Sequence, residues 1–190
     1  TTYIKDRPRV KEAQLAAHEQ EQDELLARAG IAYYERSDFD AARELYIQAL
    51  TTGEASPEAA AGLVLVAIVR KDGAEALRLI ELHRRLIGEG AAYHHLMSST
   101  MRCLGKSHEA DALRKAAPLP ESAFEHHILA FQELAKGKAG DDSAFPRALR
   151  YSTTAIILSQ APRLSFYSIR GQAAGRSNNR EAASQTSSAL

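Results

Sequence analysis

The sequence predicts an all-α protein built as an array of helical hairpins, and three observations carry that expectation. Asp23 to Leu50 holds two amphipathic helical patterns separated by a polar turn at Arg36–Asp38. In the first, Leu26, Ala29, Gly30 and Tyr33 recur at three- and four-residue steps, and in the second Phe39, Ala42, Leu45, Tyr46, Ala49 and Leu50 do so. Those steps place each set on one helix face. A small residue then recurs at a fixed interval: Ala42, Ala76 and Ala110 are each 34 apart, and Ala148 and Ala182 repeat the step after one interval of 38. Finally, one hairpin cannot bury its apolar faces alone, so regular recurrence implies stacking of neighbours into one continuous body. Gly30, Ala42 and Ala49 stand among larger residues, as they would where two helix backbones approach closely.

Taken in order, Thr1 to Arg7 are expected to be poorly ordered, and Pro8 suits the first turn of a helix because its missing N–H is one of the unpaired donors there. Val10, Ala13 and Ala17 make a modest stripe ahead of the polar run Glu19–Gln22. Either a short leading helix precedes the first hairpin or one long helix runs through to Arg36. Gly53 to Ser56 links to Glu58–Arg70, which is apolar almost all round and so is expected to be covered on both sides. Lys71-Asp72-Gly73 turns into a return helix, Ala74–Ile87, broken by Gly88-Glu89-Gly90. Ala91–Leu104 and Ser107–Ala116 form a third hairpin, ended by Pro118-Leu119-Pro120. Glu121–Lys136 and Phe145–Leu158 form a fourth around a long turn at 137–143, and that turn accounts for the 38-residue step. Two helices, Pro162–Gly175 and Arg180–Leu190, complete the set.

A 34-residue period is that of the tetratricopeptide repeat (TPR), and the chain resembles that family over roughly residues 23–190. The first unit matches its pattern with Leu26, Gly30, Tyr33, Ala42, Tyr46 and Ala49, and Pro57 follows. The second matches with Leu63, Ala76 and Ile80, with His83 where alanine is usual; the third keeps Ala110 and Ala117 but has Arg114 for the bulky aromatic. Ala148, Ala155 and Pro162 carry the fourth, and Phe166, Ile169 and Ala182 the fifth, where Gly171 stands one place late. The resemblance implies a right-handed superhelical solenoid of about five TPR-like helix-turn-helix repeats. An N-terminal, partly helical segment (1–22) would precede a single domain (23–190) with repeats at about 23–56, 57–90, 91–120, 121–161 and 162–190.

Composition narrows the function. Lys and Arg number 24, as do Asp and Glu, so there is no overall cationic field to favour nucleic acid or an anionic membrane. One cysteine, Cys103, permits no internal disulfide and fits a reducing, cytoplasmic setting. No signal peptide is evident in TTYIKDRPRVK, and the apolar stretch Ala59–Val69 is too short to span a bilayer. Glycine-rich phosphate loops, HExxH, GxSxG and CxxC are all missing, so no catalytic residue and no cofactor is expected. The histidine pairs His94-His95 and His126-His127 sit on successive first helices. Adjacent helical residues point about 100° apart, so one of each pair is expected to pack and the other to face solvent, with no metal bound. Arg84-Arg85 and the lysines near Lys115 read as solvated faces, and Cys103 as a buried filler.

What remains is a groove. By resemblance, the first helices of successive units line a concave surface with Ala27, Ile31 and Tyr34, then Ala61, Leu65 and Ile68, then His95, Ser99 and Arg102. An apolar trough of that kind suits an amphipathic helix or an apolar peptide of another protein, with Arg102 available to a partner carboxylate. Ile31, Leu65 and Ile68 are also open to a reading as core in a tightly wound array. The expected function is a non-enzymatic protein-interaction scaffold. The alternative is a chaperone similar to the small TPR chaperones of bacterial secretion, and self-association through the C-terminal repeat is a variant of the first.

Overall fold

The computed structural model describes residues 7–160 and 163–187, with side chains described for 12–160 and 163–178. Ten helices and no strand occur among the described residues: α1 (Arg7–Tyr34), α2 (Phe39–Thr51), α3 (Pro57–Val69), α4 (Gly73–Leu82), α5 (Arg84–Ile87), α6 (Ala91–Cys103), α7 (Ser107–Ala116), α8 (Ala123–Lys138), α9 (Ala144–Leu158) and α10 (Leu164–Ser187). They pack as adjacent pairs, α1 with α2, α3 with α4, α6 with α7, and α8 with α9. None of these helices is long and apolar enough to cross a membrane.

The repeat is visible in the backbone as well as in the side chains. Each of the first three hairpins reverses through one residue of positive φ, Ser37 (53°), Lys71 (61°) and Gly105 (76°), again 34 apart. The next residue opens the return helix. Asp38 accepts from the Ala41 N–H at 3.0 Å and Asp72 from the Glu75 N–H at 3.0 Å, each satisfying a donor that the helix leaves unpaired. Lys106, at the third such position, makes no side-chain cap. Ala42, Ala76, Ala110 and Ala148 are all fully buried, as crossings of paired helices require; Ala182 lies outside the described side chains. α8 opens with a capping box in which Ser122 accepts from the Glu125 N–H. The Glu125 carboxylate also accepts from the Ala91 N–H at 2.6 Å, which ties the start of unit four to the start of unit three.

Several expectations are settled or corrected. α1 is one helix, not a short leader followed by a second, so the 1–22 segment is continuous with the first unit from Arg7 onward. Residues 12–20 of it are exposed. Gln22 then anchors it, donating to the Ala49 carbonyl at 2.8 Å and the Thr52 carbonyl at 2.6 Å at the end of α2. The expected disorder of Thr1–Arg7 concerns residues outside the description except Arg7, which is already helical. The return helix of unit two breaks at His83 (φ −105°, ψ 16°) into α4 and the single turn α5. The fifth unit is not a hairpin. Between Gly175 and Arg180 no proline or reversing turn intervenes, and α10 runs unbroken from Leu164 to Ser187.

Close approach also falls at a different glycine from the one expected. Around Gly30 there is open space where a Cβ would project, whereas a Cβ on Gly62 would run into the Tyr46 ring. Gly62, on α3, is thus a point of close contact between the first and second units.

The first helices of the units, α1, α3, α6 and α8, touch in that order and continue to α10, which then packs against α1. α10 thus closes back on α1, and α3 also reaches across to α8. Side chains that would line an open concave face instead point into a shared centre. There Tyr33, Tyr34 and Phe131 pack edge-on and tilted, with Tyr34 and Phe131 centroids 4.1 Å apart.

Candidate interaction site on the inner wall

The predicted groove residues divide into three groups. Tyr34 and Leu65 are core, each 4 % exposed. Tyr34 donates its hydroxyl to the Phe131 carbonyl at 2.7 Å, from α1 to α8, and Tyr33 donates to the Leu65 carbonyl at 3.4 Å. Burial drives the Tyr34 pKa well above its ordinary value. Ala61 is fully buried. Ala27, Ile31, Ile68, His95 and Ser99 are half-buried. Arg102 is exposed and its guanidinium sits 2.6 Å from Asp111, so its charge is already paired within the chain. The trough expected at Ala27, Tyr34 and Leu65 is therefore closed: α8 and α10 lie over it, and Tyr34 and Leu65 are corrected from groove to core.

What is left of the trough is a cavity of about 20 Å³, room for roughly one water. Leu26, Ala27, Gly30 and Leu65 form one wall, and Ile128, Phe131 and Ile169 another. Its polar edge is the part that the sequence reading missed. Glu58, in the first turn of α3, is only 6 % exposed. Its Oε1 lies 3.3 Å from His127 Nε2 on α8, and its Oε2 lies 2.9 Å from Arg163 Nη1 just before α10. Ser165 donates to Glu58 Oε1 at 3.4 Å, and the Asp23 carboxylate on α1 accepts from the Leu164 N–H at 3.1 and 3.2 Å. α8 and the start of α10 thus meet the buried Glu58 carboxylate of α3, and α1 holds the start of α10 through Asp23. The Arg163–Glu58 approach is a charge contact without hydrogen-bond alignment, since Glu58 Oε2 and Arg163 Nη1 both lack a hydrogen-bond partner.

Electrostatics follow from the burial. Loss of hydration pushes the Glu58 carboxyl up to about 7; Arg163 opposes that shift and Asp23 adds to it. Burial, and then the Arg163 charge, bring His127 down to about 3, so its imidazole is neutral. Its Nδ1 has no partner, while its ring packs on Phe166 with centroids 4.6 Å apart.

The other histidines do ordinary work. Nδ1 of His94 sits 3.0 Å from the Gly90 carbonyl and Nδ1 of His126 sits 3.0 Å from the Ser122 carbonyl, each one turn back on its own helix. His127 is buried, as expected of one member of a pair, but His126 is half-buried rather than turned fully to solvent, and His94 and His95 are both half-buried. Burial, then Arg114 and Lys136, lower His95 to about 4. Among the described residues no group of three or more His, Cys, Asp or Glu side chains is arranged to hold a metal ion. Burial raises the Cys103 thiol above its ordinary pKa, which disfavours the nucleophilic thiolate.

At the opposite mouth of the centre, Lys138 donates to the Tyr34 carbonyl and stands 5.2 Å over the Tyr34 ring, capping the end of α1. An open cleft of about 720 Å³ there is lined by residues of both charges, including Glu35, Lys138, Asp142 and Arg176. One sign of charge does not dominate it.

Signals for the missed residues were present. Glu58 is the single ionisable residue in a helix otherwise apolar on every side, and such a group is buried with a partner or not buried at all. Its partners come from 69 and 105 residues further on (127 − 58 and 163 − 58), and only tertiary structure brings them together. Comparison with family models, with curated proteins and with solved structures returns no match to this chain.

Proposed function

We propose that this chain is a non-enzymatic protein-interaction scaffold, a right-handed winding of TPR-like hairpins whose inner wall receives a helix of another protein. One observation supports the reading above the others. α10 packs along α9 and against α1 and α8, held through Phe166, Ile169 and Ala173, and it meets α3 through the Arg163–Glu58 charge contact. A surface that holds one amphipathic helix by a few apolar anchors and one charge pair has the chemistry to hold another.

Affinity capture with the intact chain as bait, read by mass spectrometry, tests this. Ile169→Glu serves as a second bait, because it loosens α10 without altering the wall. A partner that uses the wall is retained more strongly by Ile169→Glu than by the wild type. Partners retained equally by both would bind elsewhere, and that result would contradict the reading.

A further inference from the structure

The way α10 sits in the wall says what kind of helix the wall is built for. Its buried described side chains are few: Ser165, Phe166, Ile169 and Ala173. Phe166, Ile169 and Ala173 share one face of the helix, and with Arg163 just before it they form a pattern of basic, aromatic, branched aliphatic and small residues at 0, +3, +6 and +10. Each meets a feature of the wall. Arg163 faces the Glu58 carboxylate, Phe166 packs on His127, and Ile169 closes the cavity against Leu26, Leu65 and Ile128.

The fit of α10 is incomplete. A void of about 20 Å³ remains beside Ile169. Gln172 Oε1 and His127 Nδ1 are buried without a hydrogen-bond partner, and such atoms cost more buried than solvated. Gly171 and Gly175 are exposed on the helix with open space where a side chain would be, so they weaken it without serving a close contact. α10 also packs along α9.

We propose that α10 is the resident occupant of a helix-binding seat, and that the seat takes a partner helix carrying the same four-point pattern, with its basic residue on Glu58. The proposal rests on the scaffold reading and adds partner chemistry and a self-competing helix to it. Tethering makes the local concentration of α10 high, so the seat is occupied by default and a partner must match the pattern better than α10 does.

The test uses the intact protein and a labelled peptide of residues 163–178 bearing Gly171→Ala and Gly175→Ala. Fluorescence anisotropy should show saturable binding to the Ile169→Glu protein, at least tenfold tighter than to the wild type. Arg163→Glu in the peptide should weaken binding at least tenfold, and Glu58→Gln in the protein should weaken it severalfold. No saturable binding to an Ile169→Glu protein that keeps the helical circular dichroism of the wild type would overturn the seat. Hydrogen exchange of the wild-type protein needs no variant. The α10 amides should exchange at least tenfold faster than those of α3 and α8, and faster again in excess peptide. Equal protection of α10 and α3, unchanged by peptide, would overturn the proposal. So would a concentration-dependent dimer in which α10 gains protection, since a second copy would then be the occupant. Peptide binding without any captured partner would leave the seat and remove the scaffold reading, whereas captured partners without peptide binding would do the reverse.

Discussion

His127 Nε2 and Glu58 Oε1 lie 3.3 Å apart with both side chains almost fully buried, and they share one problem, a proton. In water histidine is the stronger base of the two; inside the protein the order inverts, with Glu58 near 7 and His127 near 3. Folding therefore leaves the Glu58–His127 contact neutral at mildly acid pH, and the charge contact between Glu58 and Arg163 forms as pH rises through about 7.

That inversion sets a pH dependence. Glu58 is raised above its ordinary 4.5, so its contribution to stability is fully present below 4.5 and is lost as pH rises through 7. His127 is lowered below its ordinary 6.5, so its contribution is present above 6.5 and is lost as pH falls through 3. Between 4.5 and 6.5 the two slopes cancel. His127→Gln should unmask the first slope, making the protein more stable by about 1–3 kcal/mol as pH falls from 7 to 4.5 relative to wild type. Glu58→Gln should unmask the second, with a loss of similar size between 6.5 and 3. Urea denaturation at intervals of half a pH unit checks both, and parallel curves for all three proteins would contradict the inverted pair.

Leu65→Glu separates core from groove. Leu65 is 4 % exposed and walls the central cavity, so a carboxylate there would face a space with room for roughly one water. The variant should lose about 3–5 kcal/mol of stability, the cost of a deleted core leucine and a buried charge together. Thermal melting reads this directly, and an unchanged melting temperature would restore Leu65 to an open surface.

Two glycines give opposite outcomes for the same substitution. Gly30→Ala should stabilise by about 1 kcal/mol, because it raises helix propensity and its methyl points into empty space. Gly62→Ala should destabilise by about 1–3 kcal/mol, because its methyl would meet the Tyr46 ring. Paired denaturation curves decide the point.

Lys106→Asp should add the N-cap that α2 and α4 have and α7 lacks. A gain of about 0.5–1.5 kcal/mol is expected, since an aspartate accepts from the first-turn N–H groups and complements the helix dipole. No gain would mean that the third turn is not equivalent to the first two.

The local architecture was legible in the sequence because it is written locally. Positions 37, 71 and 105, and alanines 42, 76, 110 and 148, mark turns and helix crossings that each depend on neighbours within one or two units. The sequence suggests two helices, Pro162–Gly175 and Arg180–Leu190, where α10 is one, and the exposed Gly175 weakens that helix without ending it. The closed centre was not legible. Nothing local in Asp23, Glu58, His127 and Arg163 announces that they meet, because their contact depends on how far the array curves. The same curvature turns Tyr34 and Leu65 from lining into core and leaves Arg102 outside, paired to Asp111.

The return of α10 to α1 underlies the seat, the buried pair and the closed trough, and a distance between those helices tests it most directly. Spin labels at the exposed positions Arg28 and Arg170, in a Cys103→Ser background, report it by pulsed electron resonance. Helices in contact lie 8–10 Å apart, so with the label arms a single narrow distribution below about 25 Å is predicted. An open row of five first helices would place the labels about 35–40 Å apart or more, and a distribution centred there would contradict the account.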